Sequence, residues 1–162
     1  LTEPWGGSVN WCLMTLTGQI LKSGQQAVTL SPLASVRVCS EKFDLTMDER
    51  REVIFLAELE QKGQRLAMNI ATFVPNKHLK LVDPGIQVEV RKVNDELQIT
   101  LTAHSLARFV ELEITGRNVV FSDNYFDLPA GSTATITCKM PEGMTLEQVR
   151  KALRVRSLYN SF

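Results

Sequence analysis

Apolar residues fall at every second position in one short segment after another, with Gly, Pro, Asn and Asp in the gaps. Ile86, Val88 and Val90 alternate with Gln87, Glu89 and Arg91. Leu97, Ile99 and Leu101 alternate with Gln98, Thr100 and Thr102, and Val110, Leu112 and Ile114 with Glu111 and Glu113. A period of two is that of a pleated strand, whose successive side chains leave on opposite faces. Strands apolar on one face need a second sheet to cover them, so the pattern implies a sandwich. One segment alone carries a helical signature. Thr145-Leu146-Glu147-Gln148 fits the S/T-x-x-E/Q capping box, and Leu146, Val149 and Leu153 follow at helical spacing.

The first half reads the same way. Strands are expected at 9–16, at 26–30 after a Ser23-Gly24 break, at 35–41, and at 53–60 and 65–74. The last two flank Gln61-Lys62-Gly63-Gln64, a four-residue polar hairpin turn. Residues 46–52 fit a loop or a single helical turn equally well. Asp83-Pro84-Gly85 then separates two sets of strands, which places a module boundary there and predicts domains 1–83 and 84–162. Near the end, the stretch 121–132 reads FSDNYFDLPAGS, an aromatic-rich strand end running into a Pro-Ala-Gly turn and a further strand at 133–139. It predicts a corner of one antiparallel sheet, with Phe126 and Leu128 on one face and Tyr125 and Asp127 on the other. The expected fold is all-β: two immunoglobulin-like β-sandwich modules, with one short helix in the second.

Charge narrows the function classes. Eighteen basic and eighteen acidic residues leave no net charge, whereas nucleic-acid and anionic-membrane partners call for a basic excess. No apolar run approaches the roughly 18 residues of a membrane span. The chain opens on Leu1, which reads as a piece of a longer protein. Cys12, Cys39 and Cys138 lack C-x-x-C spacing and read as buried free thiols, although Cys12 and Cys39 could in principle pair.

The string Ser122-Asp123-Asn124-Tyr125-Phe126-Asp127-Leu128 closely resembles the C-terminal immunoglobulin-like module of the β-mannosidases in glycoside hydrolase family 2. Leu106 to Leu112 (LARFVEL) and the closing Val155-Arg156-Ser157-Leu158-Tyr159 extend the likeness through the second half. The first half is similar to the preceding module of that family through Trp11, Leu16-Thr17-Gly18, Phe55-Leu56 and Phe73-Val74-Pro75-Asn76-Lys77. That module normally opens with a further strand, so the resemblance implies truncation at the N-terminus and an exposed sheet edge. Intact family members remove terminal non-reducing β-D-mannose with retention, using two glutamates about 5–5.5 Å apart on a (β/α)₈ barrel. The resemblance therefore implies a non-catalytic C-terminal region whose partner is the catalytic barrel of the same parent chain. It would meet a β-mannoside substrate only through that parent, with no nucleic acid, membrane or cofactor involved. The motif from Ser122 to Leu128 is expected to be structural or docking, and no catalytic residue carries over.

Remaining candidates favour plain readings. Glu111 and Glu113 share the solvent face of a strand. Asp123 with Asp127 lacks the oxygen-rich loop of a calcium site, so turn capping is favoured. His78 and His104 have no metal-ligand spacing. Trp5, Trp11, Tyr125, Phe126, Tyr159 and Phe162 could form a sugar platform, but strand aromatics more often fill a core or a docking face. A carbohydrate-binding module for mannose-containing glycans is thus the alternative function, and a generic adhesion-type immunoglobulin or fibronectin domain a third.

Overall fold

The computed structural model describes residues 3–161. It divides into two compact units: the first holds the chain up to Thr15 with Gln19–Lys80, the second Leu16–Gly18 with the chain from Leu81 on.

The first unit is a four-stranded antiparallel sheet of β1 (Trp5–Thr15), β2 (Ile20–Leu30), β3 (Val53–Gln61) and β4 (Gln64–Thr72), in the order β2-β1-β3-β4. Gln61 pairs with Gln64, so the β3–β4 loop is two residues long instead of the four expected. Lys62 and Gly63 take φ 52° and 77°, the left-handed pair that a tight hairpin of right-twisted strands requires. Residues Glu49–Arg51 make a single 3-10 turn.

Two further expectations for this unit are corrected. Strand β2 does not break at Gly24 but runs through it, with Gly24 paired to Trp11 of β1. A Cβ there would sit 2.5 Å from Trp11 Cζ2. The glycine makes room for an indole; it does not turn the chain. That indole stacks on Phe55 at 5.7 Å and meets Phe43 edge-on at 6.4 Å, while Phe43 packs edge-on to Phe73 at 6.0 Å. Lys22 Nζ caps the group, 5.6 Å from the Trp11 ring and 5.4 Å from Phe43, and pairs with Glu41 at 3.0 Å.

The second correction concerns 35–41, which is not a strand. A strand needs a neighbour to take its N–H and C=O groups, and among the described residues none pairs with this segment. Leu33 is 93% and Val36 54% exposed. Its end is tied to the sheet by the Glu41–Lys22 ion pair, and Phe43 just beyond it packs on Trp11 and Phe55, with no ladder.

The second unit is a two-sheet sandwich. Strands β5 (Gln87–Val93), β6 (Glu96–Thr102) and β9 (Thr133–Lys139) form one sheet in the order β5-β6-β9. Strands β7 (Ala107–Ile114), β8 (Phe126–Leu128) and β10 (Leu153–Arg156) form the other, in the order β10-β7-β8. Leu97, Ile99, Leu101 and Ile136 from the first face Val110, Leu112, Ile114 and Leu128 from the second, all buried. Helix α1 (Leu146–Ala152) adds Val149 to that core. Its capping box forms as the sequence indicates: Thr145 Oγ1 accepts from Gln148 N, and Thr145 N donates to Gln148 Oε1 at 2.7 Å. The corner after Leu128 differs from expectation. Strands β8 and β9 lie in opposite sheets, and Pro129–Ser132 crosses between them, held where Gly131 N donates to Ala103 O at 2.8 Å. The crossing lets Leu128 and Ile136 enter one core from its two sides. The fold is all-β and immunoglobulin-like, with its short helix in the second unit.

Replacing Gly24 by Ala forces the buried, stacked Trp11 indole to move, and overpacking of this kind costs about 1–3 kcal/mol. The urea midpoint of Gly24→Ala should fall accordingly. An unchanged midpoint would mean that the indole does not need that space.

Candidate functional site

The segment Ser122–Leu128 spans both sheets of the second unit, and its polar side chains bond almost entirely to backbone. Ser122 N donates to Thr137 O at 2.8 Å and Ser122 Oγ accepts from Thr137 N at 2.9 Å, which ties the segment to β9. Asp123 Oδ1 accepts from Asn124 N at 2.8 Å. Asn124 then reaches β7: its Oδ1 accepts from Leu112 N at 2.8 Å and its Nδ2 donates to Leu112 O at 3.1 Å. The amide does for Leu112 what a peptide group of a neighbouring strand would do. Strand β8 has by then left the ladder, because Tyr125 takes φ 63° and turns the chain away.

Next along β7 lies a bulge. Ala107 pairs with Leu128 and Val110 with Phe126, so Arg108 and Phe109 together oppose Asp127. The extra residue lets both Ala107 and Val110 point inward, and both are fully buried. Asp127 Oδ1 serves the displaced backbone, accepting from Phe109 N at 3.1 Å. The same oxygen lies 3.0 Å from Arg108 Nε, but the N–H is not directed at it, so the contact is ionic without being a hydrogen bond. Arg108 Nη1 is buried and has no hydrogen-bond partner among the described residues. The Arg108 side chain is only 9% exposed, and its guanidinium lies 5.0 Å from the centre of the Phe109 ring.

Phe109 takes φ 51°, so two aromatic residues, Phe109 within β7 and Tyr125 just before β8, sit in the left-handed region. For bulky side chains this costs about 1–3 kcal/mol each. Both rings are displayed: Phe109 is 41% and Tyr125 63% exposed. Tyr125 Oη donates to Glu111 Oε1 at 2.9 Å, and that bond with the carboxylate charge raises the Tyr125 phenol above its ordinary pKa. Phe109, Glu111 and Tyr125 line a groove of about 400 Å³ with Arg156, Asn160 and Ser161. Arg156 stands directly opposite Glu111 in the β10–β7 register, yet forms no ion pair with it among the described residues. Asn160 accepts from Ser157 N at 2.8 Å through Oδ1.

Other candidates scatter. Glu58 pairs with Arg65 at 2.8 Å and Glu60 accepts from Asn10 at 2.8 Å. Asp123 and Asp127 are both engaged with backbone, and no group of three metal-ligating side chains occurs among the described residues. His104 lies beside Gln87, 3.0 Å between Nε2 atoms. Cys138 is buried as expected; Cys12 and Cys39 are half-buried free thiols, Cys39 because its segment forms no strand. Burial, then the Glu58 charge, pushes the Cys12 thiol up. Of the aromatics weighed as a sugar platform, Trp11 is buried and Phe126 packs against the core. Trp5 is half-buried with its ring over Gly7, Tyr125 and Tyr159 are exposed, and Phe162 lies outside the described residues. Sequence reasoning missed Phe109 and Arg156 as groove residues. The sole early sign was Phe109 breaking the alternation of β7.

Asn124→Ala leaves the buried N–H and C=O of Leu112 unpaired, at a cost on the order of 2–4 kcal/mol for the two groups. Urea unfolding should show a midpoint lowered by that amount with an unchanged slope. A loss below about 0.5 kcal/mol, the usual scale of a surface substitution, would contradict the ladder role.

Comparison with known proteins identifies the architecture. A family model for the Ig-fold domain of mannosidases matches residues 81–161, and one for the mannosidase Ig/CBM-like domain matches 1–78. No curated protein matches the chain in sequence. Among solved structures, the β-D-mannosidase of Dictyoglomus thermophilum superposes with a TM-score of 0.79 at 20% identity, over 97% of this chain and 19% of that one. The exo-chitosanase CsxA of Amycolatopsis orientalis superposes with a TM-score of 0.61 at 14% identity, over 96% of this chain and 23% of that one. The chain thus spans about a fifth of the length of the enzymes whose fold it shares. With both halves matched and the fold in agreement, the chain belongs to the mannosidase Ig-fold domain family.

Proposed function

We propose that the chain is the non-catalytic C-terminal β-sandwich region of a β-mannosidase. It supports a catalytic barrel that hydrolyses terminal non-reducing β-D-mannose residues. The observation that carries this reading is the pair of mannosidase-type domain matches, over 1–78 and 81–161, in a chain that corresponds to a fifth of a β-D-mannosidase. The internal chemistry is in keeping with a scaffold. Glu58 and Glu60 are engaged by Arg65 and Asn10, and Ser122, Asp123 and Asn124 are spent on backbone. Retaining glycosidases instead hold two carboxyl groups about 5–5.5 Å apart, free to act as nucleophile and acid/base. In this reading the two modules pack against the barrel, buttress its loops and fix the position of the chain end.

The purified chain should fold cooperatively and release no aryl alcohol from an aryl β-D-mannopyranoside. The parent protein that contains it should cleave the same substrate with retention. Metal-independent hydrolysis by the isolated chain, or a parent inactive on β-mannosides, would overturn the assignment.

A further inference from the structure

The groove on the outer face of β10-β7-β8 has the features of a binding site that scaffolding alone does not require. Glycine would meet the bulge at 109 and the turn at 125 with less strain, yet the chain places an aromatic residue at each, and both rings are exposed to solvent. Strain of this sort collects where a side chain must be displayed in a fixed pose. Both rings are also held in place beforehand. The buried Arg108 guanidinium, itself fixed by Asp127, backs the Phe109 ring, and Glu111 holds the Tyr125 hydroxyl. Pre-ordered rings bind at a smaller entropic cost than mobile ones.

The polar groups around the rings define the ligand. Glu111 offers acceptor oxygens, and Arg156 offers donors with no ion-pair partner among the described residues. Asn160 contributes its amide N–H groups, since its bonds to Ser157 use Oδ1, and Ser161 adds a hydroxyl. One acid and one base leave the groove without net charge, which disfavours an anion or a cation. Mixed donors and acceptors round exposed aromatic faces suit a neutral polyhydroxylated ring, with its C–H face on the aromatic surface and its hydroxyls on the charged groups. At about 400 Å³ the groove lies at the small end of the range typical of small-molecule sites, roughly 300–1,000 Å³. We propose that this groove binds one pyranose ring of a glycan, with Tyr125 and Phe109 as platforms and Glu111 and Arg156 as hydroxyl partners. The inference stands apart from the scaffolding role, since a sugar could bind here whatever the parent hydrolyses.

The test is a titration of the whole chain, followed by amide NMR, with methyl β-D-mannopyranoside, β-1,4-mannobiose and the corresponding gluco-configured sugars. Saturable shifts at millimolar sugar should concentrate at 108–111, 124–127 and 156–161. Tyr125→Gly removes the ring but suits the positive φ, so it should weaken binding at least about tenfold without lowering the melting temperature. Phe109→Gly should behave likewise. No saturable shift at tens of millimolar sugar would overturn the proposal. So would shifts centred elsewhere, unaltered binding by Tyr125→Gly, or groove amides that respond only to a protein segment of the parent.

Discussion

Asn124 gives Leu112 both halves of a ladder pairing, an acceptor at 2.8 Å and a donor at 3.1 Å, at the point where β8 has already turned away. Much of the second module depends on that substitution of side chain for strand. Leu112 sits in the middle of the core face of β7, so its backbone groups cannot be left to water. The turn that frees Asn124 to reach it requires Tyr125 at positive φ. The bulge one step along requires Asp127 to take the Phe109 N–H. Ser122 fastens the other end to β9. One short segment thereby joins the two sheets, and its composition follows from the bonds it must make: Ser, Asp and Asn are the residues whose short polar chains can reach backbone groups nearby.

The first module reaches order by a different route. Its sheet is continuous, but among the described residues the segment 35–41 makes no ladder. Cohesion there comes from the ring cluster of Trp11, Phe43, Phe55 and Phe73, capped by Lys22. Aromatic pairs of this kind contribute about 0.5–1.5 kcal/mol beyond the area they bury. The glycine beneath the indole belongs to that cluster as much as the rings do.

Much of this was legible in the sequence because alternation reports a local property, the two faces of a strand. The capping box at Thr145 and the alternating strands of the second half needed no knowledge of their neighbours. What failed was non-local. The alternation of Val36 and Val38 matched a strand, but whether a partner lay alongside was not encoded in those residues. Gly24 looked like a break because its neighbour Trp11 is thirteen positions away. The Phe126–Leu128 and 133–139 segments looked like one sheet because they are close in sequence, while the core drew them apart. The groove went unread for a related reason: Phe109 and Arg156 meet only through the β10–β7 register. Resemblance supplied the family, and geometry supplied what each residue of its motif does.

Native-state hydrogen exchange at two amides tests most directly whether side chains serve as ladder partners here. Leu112 N–H and Phe109 N–H are bonded to the Asn124 and Asp127 side chains. If these bonds hold the sheet as described, the Leu112 amide exchanges only with opening of the whole module, at the rate of the most protected core amides, and Phe109 is slowed with it. Exchange of Leu112 at the rate of an exposed loop, with Val110 and Ile114 still protected, would contradict the account.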